Sequence, residues 1–483
     1  MSAATPDYRP VPGPVDRESF EHAQRRHRRA SRRWTVAVAL AVAVMGIPLS
    51  AAISPLVLSV VTLALDAAGR VATTPDLLSP FRQAFNGQPV TDVPRLVVAA
   101  AVALLVPGAV VLTLCWVRIR RLFRQAGTAA ELDALSARPP TPGDFEEHQL
   151  ANVVAEIALA AGLPAPDVQL IDSPVANAAV VGSGPGDATV VVSRGLLDAL
   201  GRDETQGVVA HLVGRVGNGD LAIGRTIASL YYTLGFVSSV LSAPTDRKDR
   251  RAAGPALRLM VRPGSAHEHP ERVAAASAAL LDAQGGGSSG SDTVEPNGCL
   301  SVLLLPILAA QMAFVMNQLI ISSFVITPLL KRAWRARSEL ADATAVALTR
   351  HPDGLAGGLA ELARVGGEVP GTAALAHLFV VGPSSVGGGG RSGAFPLRGF
   401  QSKLDRRMKQ LSALGATVPY QPRRKIGRTA KLLLVVIGGP FIILFYVLML
   451  GIGIALLGIA AMLYMLFLVG PVFVLHAVLR GQT

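Results

Sequence analysis

The chain has 483 residues, of which 51% are hydrophobic, and a mean hydropathy of +0.44. This composition is too apolar for an ordinary soluble protein of this length, so membrane-spanning helices are expected. The formal net charge of +12 suits either nucleic acid or an anionic membrane surface as a partner. The two cysteines, Cys115 and Cys299, lie in or beside apolar runs, which excludes a disulfide framework and a thiolate metal site.

The N-terminal part is predicted to be a basic cytoplasmic tail, residues 1–33, followed by a transmembrane hairpin, residues 34–124. Its two apolar runs, Trp34–Leu65 and Leu96–Val117, contain no charged residue, and a helix needs about 20 such residues to cross a bilayer. The clusters RRHRRASRR and RIRRLFR lie just outside the two runs, so the positive-inside bias places both ends of the hairpin in the cytoplasm. These arginines therefore favour contact with lipid headgroups over contact with nucleic acid.

Residues 125–222 are predicted to form the first part of a soluble domain that mixes helices and strands. The predicted elements are, in chain order, a helix over 152–161, a strand over 167–172, a hairpin loop over 182–187, a strand over 188–193 and a helix over 194–200. Asp203 is expected to cap the next helix, with Gln206 three residues further on.

Two further apolar stretches, residues 223–243 and 300–330, are candidate spans that enclose a charged, Gly/Ser-rich insert, residues 244–299. If both stretches cross the membrane, the insert is external and its DRKDRR cluster lies on the side that basic residues avoid. If neither crosses, the insert is cytoplasmic. The sequence leaves both arrangements open.

The C-terminal part is predicted to comprise a second part of the soluble domain, residues 331–430, and a transmembrane hairpin, residues 431–480. No charge occurs between Lys431 and Arg480. As a single helix this run would be roughly 70 Å long, against a hydrocarbon core of roughly 30 Å, so it is expected to cross twice.

Four motifs of the soluble parts occur in an informative order. They are NVVAEIALAAGLPAPDVQLIDSPVANAAV (152–180), TVVVSRGLLDAL (189–200), DETQGVVAHLVGRVGNGD (203–220) and RSELADATAVAL (337–348). Together they resemble the HtpX-like zinc metallopeptidases, a membrane family related to the CAAX prenyl proteases. The resemblance covers roughly residues 149–412 and implies an α+β zincin-like peptidase domain combined with polytopic transmembrane helices.

The resemblance also implies roles for individual residues. His211 stands at the first zinc-ligand position and Glu339 at the third. The side chains expected to hold these ligands in place are Asp342, Asn218 and Asp220, while Asn177 and Ala178 open the strand that flanks the substrate cleft.

The motif helix departs from the His-Glu-x-x-His pattern at two positions. Leu212 occupies the place of the glutamate that takes a proton from zinc-bound water, and Arg215 that of the second histidine. A guanidinium stays protonated and only donates hydrogen bonds, so it cannot bind a metal ion. Because an arginine fork matches a carboxylate, we expect an ion pair between Arg215 and Glu339 in the former metal site.

Three functions follow from these observations. The first is an HtpX-like homologue without catalytic activity or zinc, which acts by binding membrane or other protein partners. The second is a zinc-dependent metalloendopeptidase with an unusual site that cleaves membrane proteins in protein quality control. The third is a structural membrane subunit whose function resides in its C-terminal spans. In each case we expect a multi-pass protein of the cytoplasmic membrane, with the N-terminus and the peptidase-like domain in the cytoplasm.

Overall fold

The structure, a computed structural model, describes residues 19–67, 93–126, 128–243, 246–261, 325–365, 378–381 and 402–418, together with Gly367 and isolated residues within 269–314 and 439–459. Most of the predicted insert, most of the candidate span over 300–330 and almost all of the C-terminal hairpin over 431–480 lie outside the described residues.

The structure is mostly helical. The helices are, in chain order, α1 (Phe20–Ala67), α2 (Val93–Ala126), α3 (Ala129–Ala134), α4 (Phe145–Ala161), α5 (Arg194–Ala199), α6 (Arg202–Gly217), α7 (Asp220–Ser242), α8 (Arg247–Val261), α9 (Thr327–Thr349), α10 (Pro352–Val365) and α11 (Leu404–Ala413). Three strands lie between α4 and α5, namely β1 (Asp167–Ile171), β2 (Ala178–Val181) and β3 (Thr189–Ser193).

The three strands form one sheet in the order β1-β3-β2. β1 runs parallel to β3, whereas β2 and β3 pair antiparallel through the loop over 182–187, so the predicted hairpin is confirmed. Both predicted strands are present, and the residues of β2 and β3 are buried throughout. The sheet is small and interior, and its position beside α6 makes it one wall of the candidate site.

The motif helix α6 is buried on nearly every side, because it packs against α4, α9, α10 and β2. Two glycines allow this packing, since a Cβ at Gly207 would overlap the backbone of α10 and one at Gly214 would meet the carbonyl oxygen of Ala341 at 3.3 Å. The prediction that Asp203 caps this helix is wrong, because the N-cap residue is Gly201. The helix begins at Arg202, and Glu204 accepts a hydrogen bond from the backbone N–H of Gly201 at 3.0 Å.

Helix α1 begins inside the segment that was predicted to be a tail. Residues Ala23, His27 and Ser31 are buried against α9, because a spacing of four places them on one helix face while the intervening arginines project outward. Residues 20–33 are therefore the first turns of α1 and continue into its apolar part. No change of structure marks the predicted boundary at residue 33, because α1 runs through it.

Two helices among the described residues, within α1 and α2, are long and apolar enough to cross a membrane. They touch closely where the backbone N–H of Gly108 donates a hydrogen bond to Ser54 Oγ at 2.8 Å. A Cβ at Gly108 would overlap the carbonyl oxygen of Ser50, so only glycine permits this approach. Small residues at a helix contact are typical of packing within membranes, where close backbones maximise van der Waals attraction.

Gly108→Ala is expected to push α1 and α2 apart and to lower the free energy of unfolding by about 1–3 kcal/mol, because the added methyl group overpacks the contact. Gly46→Ala is the matched control, since a Cβ at position 46 of α1 meets nothing within 4 Å and alanine favours a helix. Thermal denaturation of the full chain in detergent measures both effects. Equal melting temperatures for the two variants would contradict the close contact.

An ion pair with a buried carboxylate holds the start of α4 to the sheet. Arg138 donates hydrogen bonds to the buried carboxylate of Glu147 at 2.9 and 3.1 Å and also binds Asp172 beside β1. The backbone N–H of Thr141 donates to the same carboxylate at 2.6 Å. These hydrogen bonds, first those from Arg138, lower the pKa of Glu147 from 4.5 to about 2.

Because the folded-state pKa of Glu147 is depressed, its contribution to stability is present above about pH 4.5 and is lost as the pH falls towards 2. Glu147→Gln is therefore expected to lower the melting temperature at neutral pH and to flatten its decline between about pH 5 and 2. The neighbouring Glu146→Gln, at a carboxylate that is 54% exposed, is the control. A wild-type slope in the Glu147→Gln variant would refute the assignment.

Candidate functional site

Three helices bring four ionisable side chains to one buried place. His211 and Arg215 lie four residues apart on one face of α6, as the motif predicts. Asp342 comes from α9 and Arg407 from α11, and all four residues are at most 3% exposed. Arg407 was not identified from the sequence, where it is one of several basic residues in a short helix.

Asp342 is the centre of the first half of the site. Its Oδ1 lies 2.7 Å from His211 Nδ1, and Arg407 donates Nε to Oδ2 at 2.7 Å and Nη2 to Oδ1 at 2.6 Å. Arg407 Nη2 also lies 3.4 Å from His211 Nδ1. Arg407 thus binds the carboxylate with a two-pronged fork, the strongest geometry for this pair.

The protonation states follow from this arrangement. Burial raises the pKa of Asp342, but the charge of Arg407 and the contact with His211 outweigh it and hold the pKa below its usual range. Burial lowers the pKa of His211, against the attraction of Asp342, so the imidazole is neutral and donates its Nδ1–H to the carboxylate. Asp342 therefore holds His211 in one orientation, the role that the resemblance implies for it.

Arg215 is the centre of the second half. Its Nε lies 3.5 Å from Asp220 Oδ2, Nη1 donates to the carbonyl oxygen of Leu378, and its Cζ lies 5.6 Å from the centre of the Trp334 ring. Burial lowers the pKa of Arg215 and Asp220 raises it, but a guanidinium remains charged in either case. A fixed positive charge therefore occupies the second histidine position of the motif.

Asp220 forms ion pairs with two arginines, Arg215 and Arg337. Arg337 of α9 donates Nε to Asp220 Oδ1 at 2.7 Å and Nη2 to the carbonyl oxygen of Asn218 at 2.8 Å. The Asn218 side chain donates to Thr344 Oγ1 at 3.3 Å. Asp220 and Asn218 thus lie beside the site and link the end of α6 to α9.

The predicted ion pair between Arg215 and Glu339 is wrong. Glu339 accepts a hydrogen bond from Ser402 Oγ at 2.9 Å and lies 3.5 Å from Arg406 and 3.6 Å from His27. At about 100° per residue, position 339 lies roughly 160° around α9 from Ala341, whose carbonyl oxygen faces α6. The carboxylate of Glu339 therefore points towards α11 and α1, and Asp220 neutralises Arg215 instead.

The same geometry bears on the third ligand position. Ser338 and Glu339 precede Asp342 by four and three residues, about 40° and 60° to either side of it around α9; Ser338 is buried, whereas Glu339 is held by Ser402 and Arg406. Within the described residues no group of three His, Cys, Asp or Glu could hold a metal ion. The zinc ion that the resemblance implies does not fit, because Arg215 offers only N–H donors where a second ligand is needed and carries a charge that repels the ion.

The prediction that Asn177 and Ala178 line an open cleft is wrong, because the two residues are 2% and 0% exposed. Asn177 Nδ2 donates to the carbonyl oxygens of Gly367 and Val381, both at 2.9 Å, and its Oδ1 accepts from the N–H of Ala178. Ala178 does begin a strand, as expected. The side chain of Asn177 is fully used in fixing neighbouring chain segments to the start of β2.

The outer edge of β2 carries the chain's own segment over 378–381. Phe379 pairs antiparallel with Ala179, and the N–H of Val380 donates to the carbonyl oxygen of Ala178 at 2.8 Å. On the other side, Arg215 holds the carbonyl oxygen of Leu378, and Arg407 Nη1 donates to that of Val380 at 3.0 Å. Arg215, Arg407 and the edge of β2 thus hold this short segment in place by hydrogen bonds. The hydrogen bond from Arg215 joins residues more than 160 positions apart in sequence.

Comparison with known proteins agrees with the four motifs. The profile of "Peptidase family M48" matches residues 144–424. The chain is similar to the "Protease HtpX homolog" of Desulfatibacillum aliphaticivorans, with 32% identity over 52% of the chain and 64% of the relative. The homologues of Syntrophobacter fumaroxidans (31% identity, 49% and 67%) and Thermoanaerobacter pseudethanolicus (27% identity, 52% and 69%) match similarly. The chain thus spans about two thirds of the relatives' length, and no solved structure matches it.

Arg407→Ala is expected to destabilise the protein by about 3–5 kcal/mol, because it leaves Asp342 as a buried charge without its main partner. Arg406→Ala is the matched control, since that side chain is 67% exposed and surface pairs contribute little. Adding Asp342→Asn to Arg407→Ala is expected to restore part of the loss. Thermal denaturation of the wild type and the three variants decides, and a double variant no more stable than Arg407→Ala would contradict the coupling.

Proposed function

The chain belongs to peptidase family M48, and we propose that it is an HtpX-like member that has lost hydrolytic chemistry and acts by binding membrane or other protein partners. One observation carries this proposal. The buried guanidinium of Arg215, neutralised by Asp220, stands where the motif requires a neutral imidazole.

The missing groups are those that perform the reaction. A zinc peptidase needs a carboxylate to take the proton of the attacking water, and Leu212, which is completely buried, offers only a hydrocarbon side chain. Loss of acid–base assistance alone costs about 10²–10⁴-fold in rate. Replacement of a metal ligand by a permanent cation adds electrostatic repulsion between the protein and the ion.

The remaining polar groups support a stabilising role for the former catalytic centre. Arg215 and Arg407 link α6 and α11 to the segment over 378–381, and Asp342 joins both helices to α9. In a metal peptidase the ion connects the helices that supply its ligands. Here buried ion pairs connect them, so the fold can be retained without zinc.

Membrane attachment supports a partner within or at the bilayer. The apolar helices α1 and α2 and their flanking arginines fit a multi-pass protein of the cytoplasmic membrane, with a zincin-like α+β domain on the cytoplasmic side. Because the edge of β2 already holds the segment over 378–381, a partner that binds at this edge must first displace that segment.

Family membership favours one other function, a zinc-dependent metalloendopeptidase that cleaves membrane proteins. It requires zinc near one equivalent per chain that a chelator removes together with activity. A structural membrane subunit is the third candidate, for which binding of a partner must depend on residues 431–483.

Purified full-length protein is expected to contain far less than one zinc per chain and to leave unfolded and membrane protein substrates intact. The triple variant Leu212→Glu, Arg215→His, Ser338→Glu is expected to bind about one zinc, because Ser338 shares the face of Asp342. The double variant Leu212→Glu, Arg215→His keeps Ser338, so that Glu339 would have to supply the third ligand. It is expected to bind no zinc. Metal analysis after dialysis and a cleavage assay measure these outcomes.

One result would contradict the proposal, and a second would contradict the position assigned to the third ligand. Stoichiometric zinc in the wild-type protein, with cleavage that a chelator abolishes, would establish the enzyme instead. The matched control adds Glu339→Gln to the triple variant, which is expected to keep its zinc. Loss of zinc in that control would show that Glu339 is a ligand and that its contacts with Ser402 and Arg406 are not maintained.

A further inference from the structure

The helical hairpin α7–α8 meets α2 at the basic end of the second apolar run. Trp116 Nε1 of α2 donates to Ser229 Oγ of α7 at 3.1 Å, and the rings of Phe123 and Tyr232 lie 4.8 Å apart. Arg118, Arg120, Arg121 and Arg124 are exposed around this end of α2. The level of Tyr232 is therefore that of the membrane surface, given the membrane placement of α1 and α2 proposed above.

From that level α7 is too short to cross the membrane. It ends at Ser242, ten residues after Tyr232, a rise of about 15 Å, whereas the hydrocarbon core is about 30 Å thick. The end of the turn and the start of α8 carry six consecutive charged residues, 246–251. Each charge at the bilayer centre costs about 2.5–3.5 kcal/mol on insertion scales, so this turn stays out of the hydrocarbon.

Helix α8 folds back against α7 and then crosses the end of α2. Ser239 Oγ donates to Asp249 Oδ1 at 2.8 Å, which closes the hairpin and turns the one acidic side chain of α8 inward. One turn of α8, Ala256–Met260, shares an apolar pocket with Ile119, Leu122 and Phe123 of α2. A contact limited to one turn of each helix indicates that the two cross and do not run side by side.

The exposed face of α8 has a basic side and an apolar side. Arg247, Arg251 and Arg258 fall within about 40° of one another at 100° per residue, and all three are exposed. Leu257 and Val261, which are 52% and 69% exposed, lie together one turn apart on the adjacent side. The buried face, made of Ala252, Ala253, Ala256 and Leu259, packs on the protein.

We propose that α8 lies in the headgroup layer of the cytoplasmic leaflet and that its arginines, with those at the end of α2, bind anionic phospholipid. Leu257 and Val261 then reach the start of the acyl chains while the arginine side faces phosphate. Basic residues combined with apolar ones on an exposed helix face are typical of helices that lie in the membrane interface. The stretch over 223–243 is accordingly not a span, and the DRKDRR cluster is on the cytoplasmic side.

Depth measurements test the position of α8. The full-length chain, with Cys115→Ser and Cys299→Ser, carries one spin label at Leu257→Cys, Val261→Cys, Arg251→Cys or, as a reference in α2, Leu114→Cys, in phosphatidylcholine–phosphatidylglycerol vesicles. Labels at 257 and 261 are expected at shallow depth, more accessible to oxygen than to a water-soluble nickel chelate, and the label at 251 is expected to show the reverse. The label at 114 is expected to lie deep.

Full exposure of the labels at 257 and 261 to the nickel chelate, with 114 deep, would overturn the proposal and leave the membrane placement of α2 intact. Labels at 257 and 261 as deep as 114 would overturn it in favour of insertion of the hairpin. A label at 114 exposed to water would instead refute the membrane placement on which the proposal rests.

Lipid selectivity tests the ligand. In mixed-lipid nanodiscs, phosphatidylglycerol is expected to be retained over phosphatidylcholine, and retention is expected to fall about fivefold for each of Arg247→Gln, Arg251→Gln and Arg258→Gln. Arg202→Gln, at an exposed arginine of α6, is the control and is expected to change nothing. Equal retention of both lipids would contradict the site. Displacement of the lipid by millimolar inorganic phosphate would show that the site recognises free phosphate and not lipid.

Discussion

The buried positive charge of Arg215 constrains the whole candidate site. A guanidinium removed from water costs several kcal/mol unless it is paired and hydrogen-bonded. The fold satisfies it with Asp220 at 3.5 Å, the carbonyl oxygen of Leu378 and the ring of Trp334. Each of these partners comes from a different segment, so a single side chain draws together the end of α6, the start of α7, α9 and the segment over 378–381.

Asp342 has the complementary role of a buried negative charge. It binds the fork of Arg407 and orients the neutral ring of His211, so three helices meet at one carboxylate. The position of this residue relative to His211 is what the resemblance to the zinc peptidases implies. Its neighbours have changed, because a cation from α11 now satisfies the carboxylate and also holds the carbonyl oxygen of Val380. The charge of Asp342 is thus balanced by side chains of α6 and α11.

Helix α1 couples this site to the apolar helices. The same helix that contains the first candidate membrane span begins with turns whose buried face contacts α9 through Ser31 and Arg337 at 3.1 Å. Arg337 also binds Asp220, which is the partner of Arg215. A continuous set of contacts therefore links this apolar helix to the motif helix α6. This coupling explains why the basic N-terminal segment is helical and packed where composition alone suggests a free tail.

The sequence by itself determined the family, the apolar helices α1 and α2, the strands and hairpin of the small sheet, and the replacement of the motif's glutamate and second histidine by Leu212 and Arg215. These features depend on local composition, on short-range periodicity or on the chemistry of single residue types. All three can be determined from the sequence without knowledge of the fold. Tertiary structure alone decided that Arg215 pairs with Asp220, that Glu339 faces away from α6, that Asn177 is interior, and that Arg407 and the segment over 378–381 complete the site. Each of those depends on the rotation of one helix relative to another or on contacts between distant segments. A shift of a single residue along α9 changes the direction of a side chain by about 100°, and no local pattern records the position of the neighbouring helix.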